Sequence, residues 1–155
     1  MERQDAKSPS RHEPSEAVDE FARRVIGCAI DVHRELGPGF PESVYEESLS
    51  IALTDSGIRF ERQPRVNVYF RERLVGQDQL DLWIERQLVV ELKTVEQVAP
   101  KHKAQVKAYL AATGNHLGLL INKSAASLCA SGTTTSYKSD AYSWAIACPG
   151  ATYEP

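Results

Sequence analysis

Three charged residues on two neighbouring predicted strands are the clearest candidates for chemistry in this sequence. Asp81 interrupts an apolar strand, and the next strand carries Glu91 and Lys93 two residues apart. Side chains alternate between the faces of a strand, so Glu91 and Lys93 project from the same face, about 7 Å apart. Charged side chains in apolar surroundings are almost always paired or bound to a metal. The pattern therefore predicts a divalent-metal site suited to phosphodiester chemistry.

The chemistry assigned to these residues is in-line hydrolysis by water. Its barrier lies in the charge that develops on the attacking and leaving oxygens. A Mg²⁺ or Mn²⁺ ion held by carboxylates can stabilise that charge and acidify a bound water. Asp81 and Glu91 are the expected ligands, and the main-chain carbonyl of Leu92 is a third. Lys93 is expected to position the nucleophile or to stabilise the transition-state charge.

The same three residues also admit a purely structural interpretation. In it, Glu91 and Lys93 form a surface ion pair on a solvated sheet face, and Asp81 is an ordinary acid. Their placement favours a site, because the Glu91–Lys93 pair ends a strongly apolar strand that begins at Leu88. Asp81 belongs to the partner strand, so the two acids are expected to converge.

Composition sets the class of protein. With 155 residues, 42% hydrophobic and 25% charged, the chain has the size and balance of one soluble globular domain. A net charge of −3 argues against a large electrostatic clamp on nucleic acid. No apolar run reaches the length of a membrane span, and the charged N-terminus lacks the apolar stretch of a secretory signal. Three cysteines without a CxxC pair are expected to be reduced thiols, which predicts a cytoplasmic location.

Apolar spacing and capping residues predict three helices. Residues 1–14 contain no Val, Ile, Leu or Phe and are expected to form a disordered arm ahead of the domain. Helices begin favourably at serine or proline and end at glycine, which fixes the bounds. The predicted helices run from Ser15 to Gly37, from Pro41 to Gly57 and from Pro100 to Gly114.

Alternating and continuous apolar runs predict four strands. The first three are expected to form a meander and the fourth to be buried. The strands are Arg65–Phe70, Leu74–Ile84, Leu88–Val95 and Leu117–Ile121. The element order is ααβββαβ, so an α/β (α+β) domain is expected over residues 15–122. Residues 123–155 hold few charges and show neither a helical nor a strand period, so they are expected to form an irregular C-terminal segment.

Several motifs, taken in order, resemble a known group of nucleases. Asp81, nine intervening residues, Glu91-x-Lys93 and a later Gln105 resemble the PD-(D/E)-x-K nuclease superfamily. The stretch Gly39-Phe40-Pro41-Glu42-Ser43-Val44-Tyr45 is similar to the signature of the GxxExxY proteins, a branch of that superfamily. The resemblance covers about residues 17–122. It implies a restriction-endonuclease-like core, with a central mixed sheet of about four strands flanked by helices.

The resemblance also implies roles for individual residues. Asp81, Glu91 and Lys93 match the catalytic core, although Leu80 replaces the proline that often precedes the acid. Gln105 matches the polar helix residue that lines the same cleft, and Glu42 matches the helix acid that completes the metal shell or orients its water. Glu42 also has an ordinary interpretation, as an acid favoured by the dipole at a helix N-terminus.

Further residues are candidates for binding substrate. Tyr109 lies four residues after Gln105, on the same helical face. Lys101 and Lys103 are expected to flank the cleft and hold phosphates. The alternative for these lysines is a solvated helix face that balances nearby acids. Tyr45 is expected to be a packed core residue with a hydrogen-bonded hydroxyl.

Two functions remain open from the sequence. The first is a divalent-metal-dependent nuclease acting on DNA or RNA. The second is a non-catalytic module that keeps the nuclease fold to bind nucleic acid or a protein. A homodimer that buries the apolar face of the first helix is a further expectation, and it is compatible with catalysis.

Overall fold

A computed structural model describes residues 16–123, 135–138 and 143–147. The N-terminal arm predicted over residues 1–14 and the predicted cap at Ser15 lie outside this part of the chain. No helix in the described ranges is long and apolar enough to cross a membrane.

Three helices begin and end close to the predicted residues. The helices are α1 Glu16–Leu36, α2 Glu42–Asp55 and α3 Pro100–Thr113. Gly37 (φ 70°) follows α1, and Gly114 (φ 71°) ends α3. Both glycines adopt the left-handed conformation that ends helices, which residues with a side chain rarely tolerate. Pro100 occupies the first turn of α3, where its missing N–H costs no hydrogen bond.

A mixed six-stranded sheet forms the centre of the molecule. Its strands are β1 Phe60–Arg62, β4 Leu82–Ile84, β5 Leu88–Lys93, β6 Leu117–Asn122, β7 Thr135–Lys138 and β8 Ser143–Ala147. The spatial order is β1-β4-β5-β6-β8-β7. β5, β6 and β8 run parallel, and the other pairings are antiparallel. The mixed sheet flanked by helices confirms the predicted fold class. β7 and β8 lie within 123–155, where the sequence predicts no regular element.

Two strands form a separate antiparallel ribbon. They are β2 Arg65–Phe70 and β3 Arg73–Gln79. The prediction of one strand over Leu74–Ile84, and of a three-stranded meander, is therefore wrong. The chain leaves the ribbon at Gln79 and enters the central sheet at Leu82. Between these residues, the Asp81 carboxylate accepts the main-chain N–H of Leu92 at 2.7 Å. A side chain thus takes a donor that backbone pairing would otherwise use.

Apolar side chains cover both faces of the central sheet. Val90 and Leu92 of β5 pack toward α1 and α2, whereas Val89 packs toward α3. The apolar face of α1 belongs to the first of these cores. Its buried residues are Val18, Ala22, Val25, Ile26, Cys28 and Ala29. This face is covered within the chain, and a homodimer stays a prediction. The large apolar side chains of the ribbon, in contrast, are exposed at Val68, Tyr69, Phe70, Leu74 and Val75.

Candidate functional site

Strand β5 places Glu91 and Lys93 on the face that α3 covers. The Lys93 Nζ atom lies 2.7 Å from Glu91 Oε1, so the two side chains share a face as the strand alternation predicts. Glu91 is only 2% exposed. Its second oxygen, Oε2, is buried and has no hydrogen-bond partner among the described residues. A buried acceptor without a partner is costly, which makes this atom a candidate ligand for a cation.

Asp81 faces Glu91 across the pair of strands β4 and β5. The strand register pairs Leu82 with Val90, so the preceding residue, Asp81, comes opposite Glu91. Burial raises the pKa of Asp81, and the hydrogen bond from Leu92 and the charge of Lys93 oppose that rise. The two acids predicted from the sequence are therefore brought together at the end of the apolar strands.

Glu91 is the most perturbed acid of the group. Burial, followed by the negative charge of Asp81, raises the pKa of Glu91 to about 7. The hydrogen bond and charge of Lys93 oppose this rise. The pKa of Lys93 is itself raised, because the hydrogen bond and charge of Glu91 outweigh the lowering effect of burial. Perturbed titration of several facing groups is characteristic of functional sites.

Glu42 joins the acids from the first turn of α2. It is half-buried, and burial raises its pKa. The charges of Lys93 and Asp81 act on it with opposite signs, which places Glu42 beside both. The main chain of Thr94, directly after Lys93, hydrogen-bonds to the Glu42 carboxyl group. Glu42 thus faces the candidate site and also occupies the helix N-terminus, so its two interpretations are compatible.

Gln105 and Tyr109 approach the acids from α3. Gln105 Nε2 donates to the Tyr109 hydroxyl at 2.8 Å, and that hydroxyl donates to the main-chain oxygen of Gln79 at 3.0 Å. Burial raises the pKa of Tyr109 to about 12; the Gln105 hydrogen bond lowers it, and the charges of Glu91, Asp78 and Asp81 raise it further. Tyr109 therefore lies near the acids. Gln105 is bonded to Tyr109, and a contact of Gln105 with the acids stays a prediction. Tyr109 also lines a cavity of about 390 Å³ between the ribbon and α3.

The two candidate lysines lie in the first turn of α3. Lys101 is exposed and Lys103 is half-buried. Between them, the pKa of His102 is lowered by burial and then by the charges of Lys101 and Lys93. The start of α3 is therefore close to Lys93, whereas contact of the two lysines with phosphate stays a prediction. The metal-binding role of the Leu92 carbonyl also stays a prediction.

Three further residues lie near Asp81, and none of them is among the candidate site residues named from the sequence. Glu46 is 5% exposed and accepts hydrogen bonds from Arg62 Nε at 2.6 Å and from Gln63 Nε2 at 3.1 Å. Its negative charge contributes to raising the pKa of Asp81. The spacing of Glu46 four residues after Glu42 signals a shared helical face, and Arg62 belongs to a run of basic residues with Arg59 and Arg65, whereas no sequence pattern marks Gln63.

The donor set fits a hard divalent cation. Within the described ranges no three His, Cys, Asp or Glu side chains are already arranged around one point. Asp81 and Glu91 nevertheless face each other, and the Glu91 Oε2 atom is buried without a partner there. Mg²⁺ prefers oxygen ligands, needs few from the protein and keeps several waters. Two carboxylates with Glu42 nearby meet that requirement.

Comparison with known proteins identifies the family of this chain. A family model described as the PD-(D/E)XK nuclease superfamily matches residues 19–130, which include every residue of the candidate site. The chain belongs to this superfamily. No curated protein and no solved structure matches the chain. Membership of the PD-(D/E)XK superfamily indicates nuclease activity, a nucleic-acid substrate and the general use of divalent metals. It leaves the ion and the type of nucleic acid open.

Proposed function

We propose that this protein is a Mg²⁺- or Mn²⁺-dependent nuclease that hydrolyses phosphodiester bonds of DNA or RNA. The observation that carries the proposal is the buried Glu91 carboxylate. One of its oxygens is bonded to Lys93, and the other has no partner within the described part of the chain. Asp81 lies opposite, so two acids and a lysine converge on one point. This is the set of groups that metal-assisted phosphodiester hydrolysis requires.

In this proposal, Asp81 and Glu91 hold the ion, with the Leu92 carbonyl as a third ligand. A bound divalent cation supplies an acidified water and stabilises negative charge on the phosphate oxygens. Asp81 is held for this task by the Leu92 N–H, which fixes the orientation of its carboxylate. Glu42, at the start of α2, completes the shell of the ion or orients a water bound to it.

Lys93 contributes a fixed positive charge beside the reacting phosphate. Its ammonium group is held by Glu91, and the raised pKa of Lys93 keeps it protonated at neutral pH. A preorganised cation next to developing negative charge lowers the barrier without any rearrangement during the reaction. Lys93 therefore stabilises the transition state or positions the attacking water.

The substrate is expected to enter from the side of α3. Gln105 and Tyr109 form a hydrogen-bonded pair beside the acids, and Tyr109 borders the cavity next to the ribbon. Lys101 and Lys103 in the first turn of α3 would contact phosphates that flank the cleaved bond. These contacts involve few cations, which agrees with the net charge of −3.

We also propose that the chain belongs to the GxxExxY branch of the superfamily. The signature residues have compatible structural roles. Glu42 faces the candidate site, and the Tyr45 hydroxyl donates to the Gly37 carbonyl at 2.6 Å. Tyr45 is 1% exposed, as expected for a residue whose side chain connects α2 to the loop between α1 and α2. The motif thus links the loop between the first two helices to the acid at the start of α2.

The direct test is a cleavage screen over single- and double-stranded DNA and RNA, with Mg²⁺ and with Mn²⁺. We expect the wild-type protein to cleave at least one substrate and Lys93→Ala to lose that activity while remaining folded. Arg23→Ala is the matched control, because Arg23 is an exposed cation on α1 and not on the substrate side of the molecule. The loss of this charge should leave cleavage unchanged. Activity that falls only in proportion to the folded fraction of Lys93→Ala would count against the proposal.

The alternative is a non-catalytic module that keeps the nuclease fold. One observation favours it: Asp81 and Glu91 each already have a protein partner, Leu92 and Lys93. Such a module would bind nucleic acid or a protein without any response to divalent cations. Nucleic-acid binding that is identical in chelator and in Mn²⁺, without cleavage, would support this alternative over the nuclease.

A further inference from the structure

Gln63 has an unusual conformation at the point where α2, the ribbon and Asp81 meet. Its φ angle is 51°, in the left-handed region that a residue with a side chain occupies at a conformational cost. Such a conformation persists only where surrounding contacts hold it. Gln63 follows β1 and precedes Pro64, so it lies between the central sheet and the ribbon.

Both main-chain groups of Gln63 are used in hydrogen bonds. Its N–H donates to the main-chain carbonyl of Asp81 at 2.8 Å. Its carbonyl accepts from the side-chain amide of Gln79 at 3.0 Å. The backbone of Gln63 therefore binds Gln79, the last residue of the ribbon, through its carbonyl. Through its N–H it binds the main chain of Asp81, the candidate metal ligand.

The side chain of Gln63 reaches the second acid of α2. Its Nε2 atom donates to both oxygens of Glu46, at 3.1 and 3.3 Å. Arg62 Nε holds the same carboxylate at 2.6 Å. Glu46 is buried at 5% exposure, four residues after Glu42 on the same helix. Gln63 thus joins α2, which carries two acids of the site, to the backbone of Asp81.

We infer that Gln63 is a positioning residue, which ties the Glu46 carboxylate of α2 to Asp81 and so fixes Asp81 opposite Glu91. Asp81 needs such a connection, because it lies at the join between two sheets rather than within a ladder of strand hydrogen bonds. The inference rests on the proposed metal-dependent function, since it names the residue that holds one ligand of that site. Replacing a residue that positions a metal ligand typically lowers metal affinity 10–100-fold.

The substitution Gln63→Gly separates this role from stability. Glycine keeps both main-chain hydrogen bonds and accepts the positive φ angle, and Arg62 still holds Glu46, so the variant should remain folded. It loses only the amide that holds Glu46. Glu72→Gly is the matched control, because Glu72 has a φ angle of 63° at the tip of the ribbon, away from Asp81. This variant relieves the same kind of strain without touching the site.

Two measurements test the inference. In the metal-free protein, hydrogen exchange of the Leu92 amide reports on Asp81, since the Asp81 carboxylate accepts that N–H. Protection of Leu92, compared with Val90 in the same strand, should fall in Gln63→Gly and stay unchanged in Glu72→Gly. By calorimetry, Mn²⁺ affinity should fall about tenfold in Gln63→Gly. Gln63→Glu, which places a carboxylate against Glu46, should also weaken Mn²⁺ binding.

The outcomes distinguish this inference from the proposed function. Unchanged protection of Leu92 in Gln63→Gly overturns the inference, whether or not the wild type binds Mn²⁺. Reduced protection with no Mn²⁺ binding by the wild type supports the positioning role and counts against the nuclease proposal. Reduced protection with wild-type Mn²⁺ affinity in Gln63→Gly overturns the link between positioning and metal binding.

Discussion

Asp81 accepts a hydrogen bond from the main-chain N–H of Leu92 at 2.7 Å, between the two residues Glu91 and Lys93 that share the candidate site with it. The bond fixes the orientation of one acid relative to the strand that carries the other acid and the lysine. It also marks the point where the chain passes from the ribbon into the central sheet. The same residue thus contributes to the candidate site and marks the interruption of the predicted strand.

The raised pKa of Glu91 predicts a stability that depends on pH. In the folded state this pKa is about 7, compared with an ordinary value of 4.5 for a solvated glutamate. Between these values the folded protein binds more protons than the unfolded chain, so stability falls as pH rises through the window. The loss is on the order of 3 kcal/mol at most. Urea unfolding at pH 5 and pH 7.5 measures it.

Glu91→Gln is the matched variant for this prediction, because it keeps the shape of the side chain and cannot ionise. Its free energy of unfolding should change less between pH 5 and pH 7.5 than that of the wild type. Histidines titrate in the same window, so the difference between the two proteins isolates Glu91. Equal changes in the two proteins would show that Glu91 does not titrate there.

The buried Lys123 predicts that the free energy of unfolding rises with pH in the alkaline range, opposite to the effect of Glu91. It is 2% exposed and donates to the Ala29 carbonyl, and burial lowers its pKa to about 8. Between about pH 8 and the ordinary lysine pKa of 10.5, the folded protein binds fewer protons than the unfolded chain. Stability should therefore rise with pH across this window.

Replacing Lys123 by methionine should remove that rise and stabilise the protein at pH 7. The gain is up to about 3 kcal/mol, because a buried charge is replaced by an apolar side chain of similar length. The variant should also raise the pKa of His33, which is lowered by burial and then by the charge of Lys123. Urea unfolding and NMR titration of His33 measure the two effects. A destabilised variant with an unchanged histidine pKa would contradict the account.

Gly118 lets α3 approach the sheet closely. A Cβ atom placed on Gly118 would lie 2.7 Å from Cγ1 of the buried Val106. Gly118→Ala should therefore lower the free energy of unfolding by about 1–3 kcal/mol through overpacking. The control is Gly27→Ala, where the exposed helical position has open space and alanine should stabilise by up to about 1 kcal/mol. Similar effects of both substitutions in denaturant unfolding would argue against close packing at Gly118.

Tyr45 is expected to act structurally and not in catalysis. Its buried hydroxyl donates to Gly37 and accepts from the Phe40 N–H at 3.3 Å. Tyr45→Phe should lower the free energy of unfolding by about 1 kcal/mol and leave Mn²⁺ affinity within a few-fold of the wild-type value. Tyr69→Phe, at an exposed tyrosine of the ribbon, should change neither quantity. Lost metal binding in a folded Tyr45→Phe protein would assign the hydroxyl a direct role.

The sequence predicted the features that depend on local periodicity. Strand alternation placed Glu91 and Lys93 on one face, and helical spacing placed the three helices close to their observed bounds. The break at Leu80 and Asp81 was not predictable in this way, because it depends on a side chain that accepts a distant N–H. The positive φ angle of Gln63 was also not predictable from local sequence, because it depends on hydrogen bonds to Glu46 and Asp81, which lie far from Gln63 along the chain.

The strands after Asn122 were not predicted from the sequence, for a related reason. β7 and β8 lie in a stretch with few charges and no clear period, so local pattern gave no signal for them. Their place in the sheet comes from pairing: β8 runs parallel to β6, and β7 pairs antiparallel with β8. Pairing between distant segments depends on the whole sheet and is weakly encoded in any one strand.

The central claim is that Asp81 and Glu91 form a metal site, and Mn²⁺ calorimetry of the wild type and Asp81→Asn tests it most directly. The asparagine keeps an oxygen that can accept the Leu92 N–H, so the variant should remain folded. We expect Mn²⁺ binding by the wild type and at least a tenfold lower Mn²⁺ affinity in the variant. Tenfold is the lower limit, because replacing a residue that only positions a ligand typically costs that much. Equal affinities in the two folded proteins, or no binding by the wild type at millimolar Mn²⁺, would contradict it.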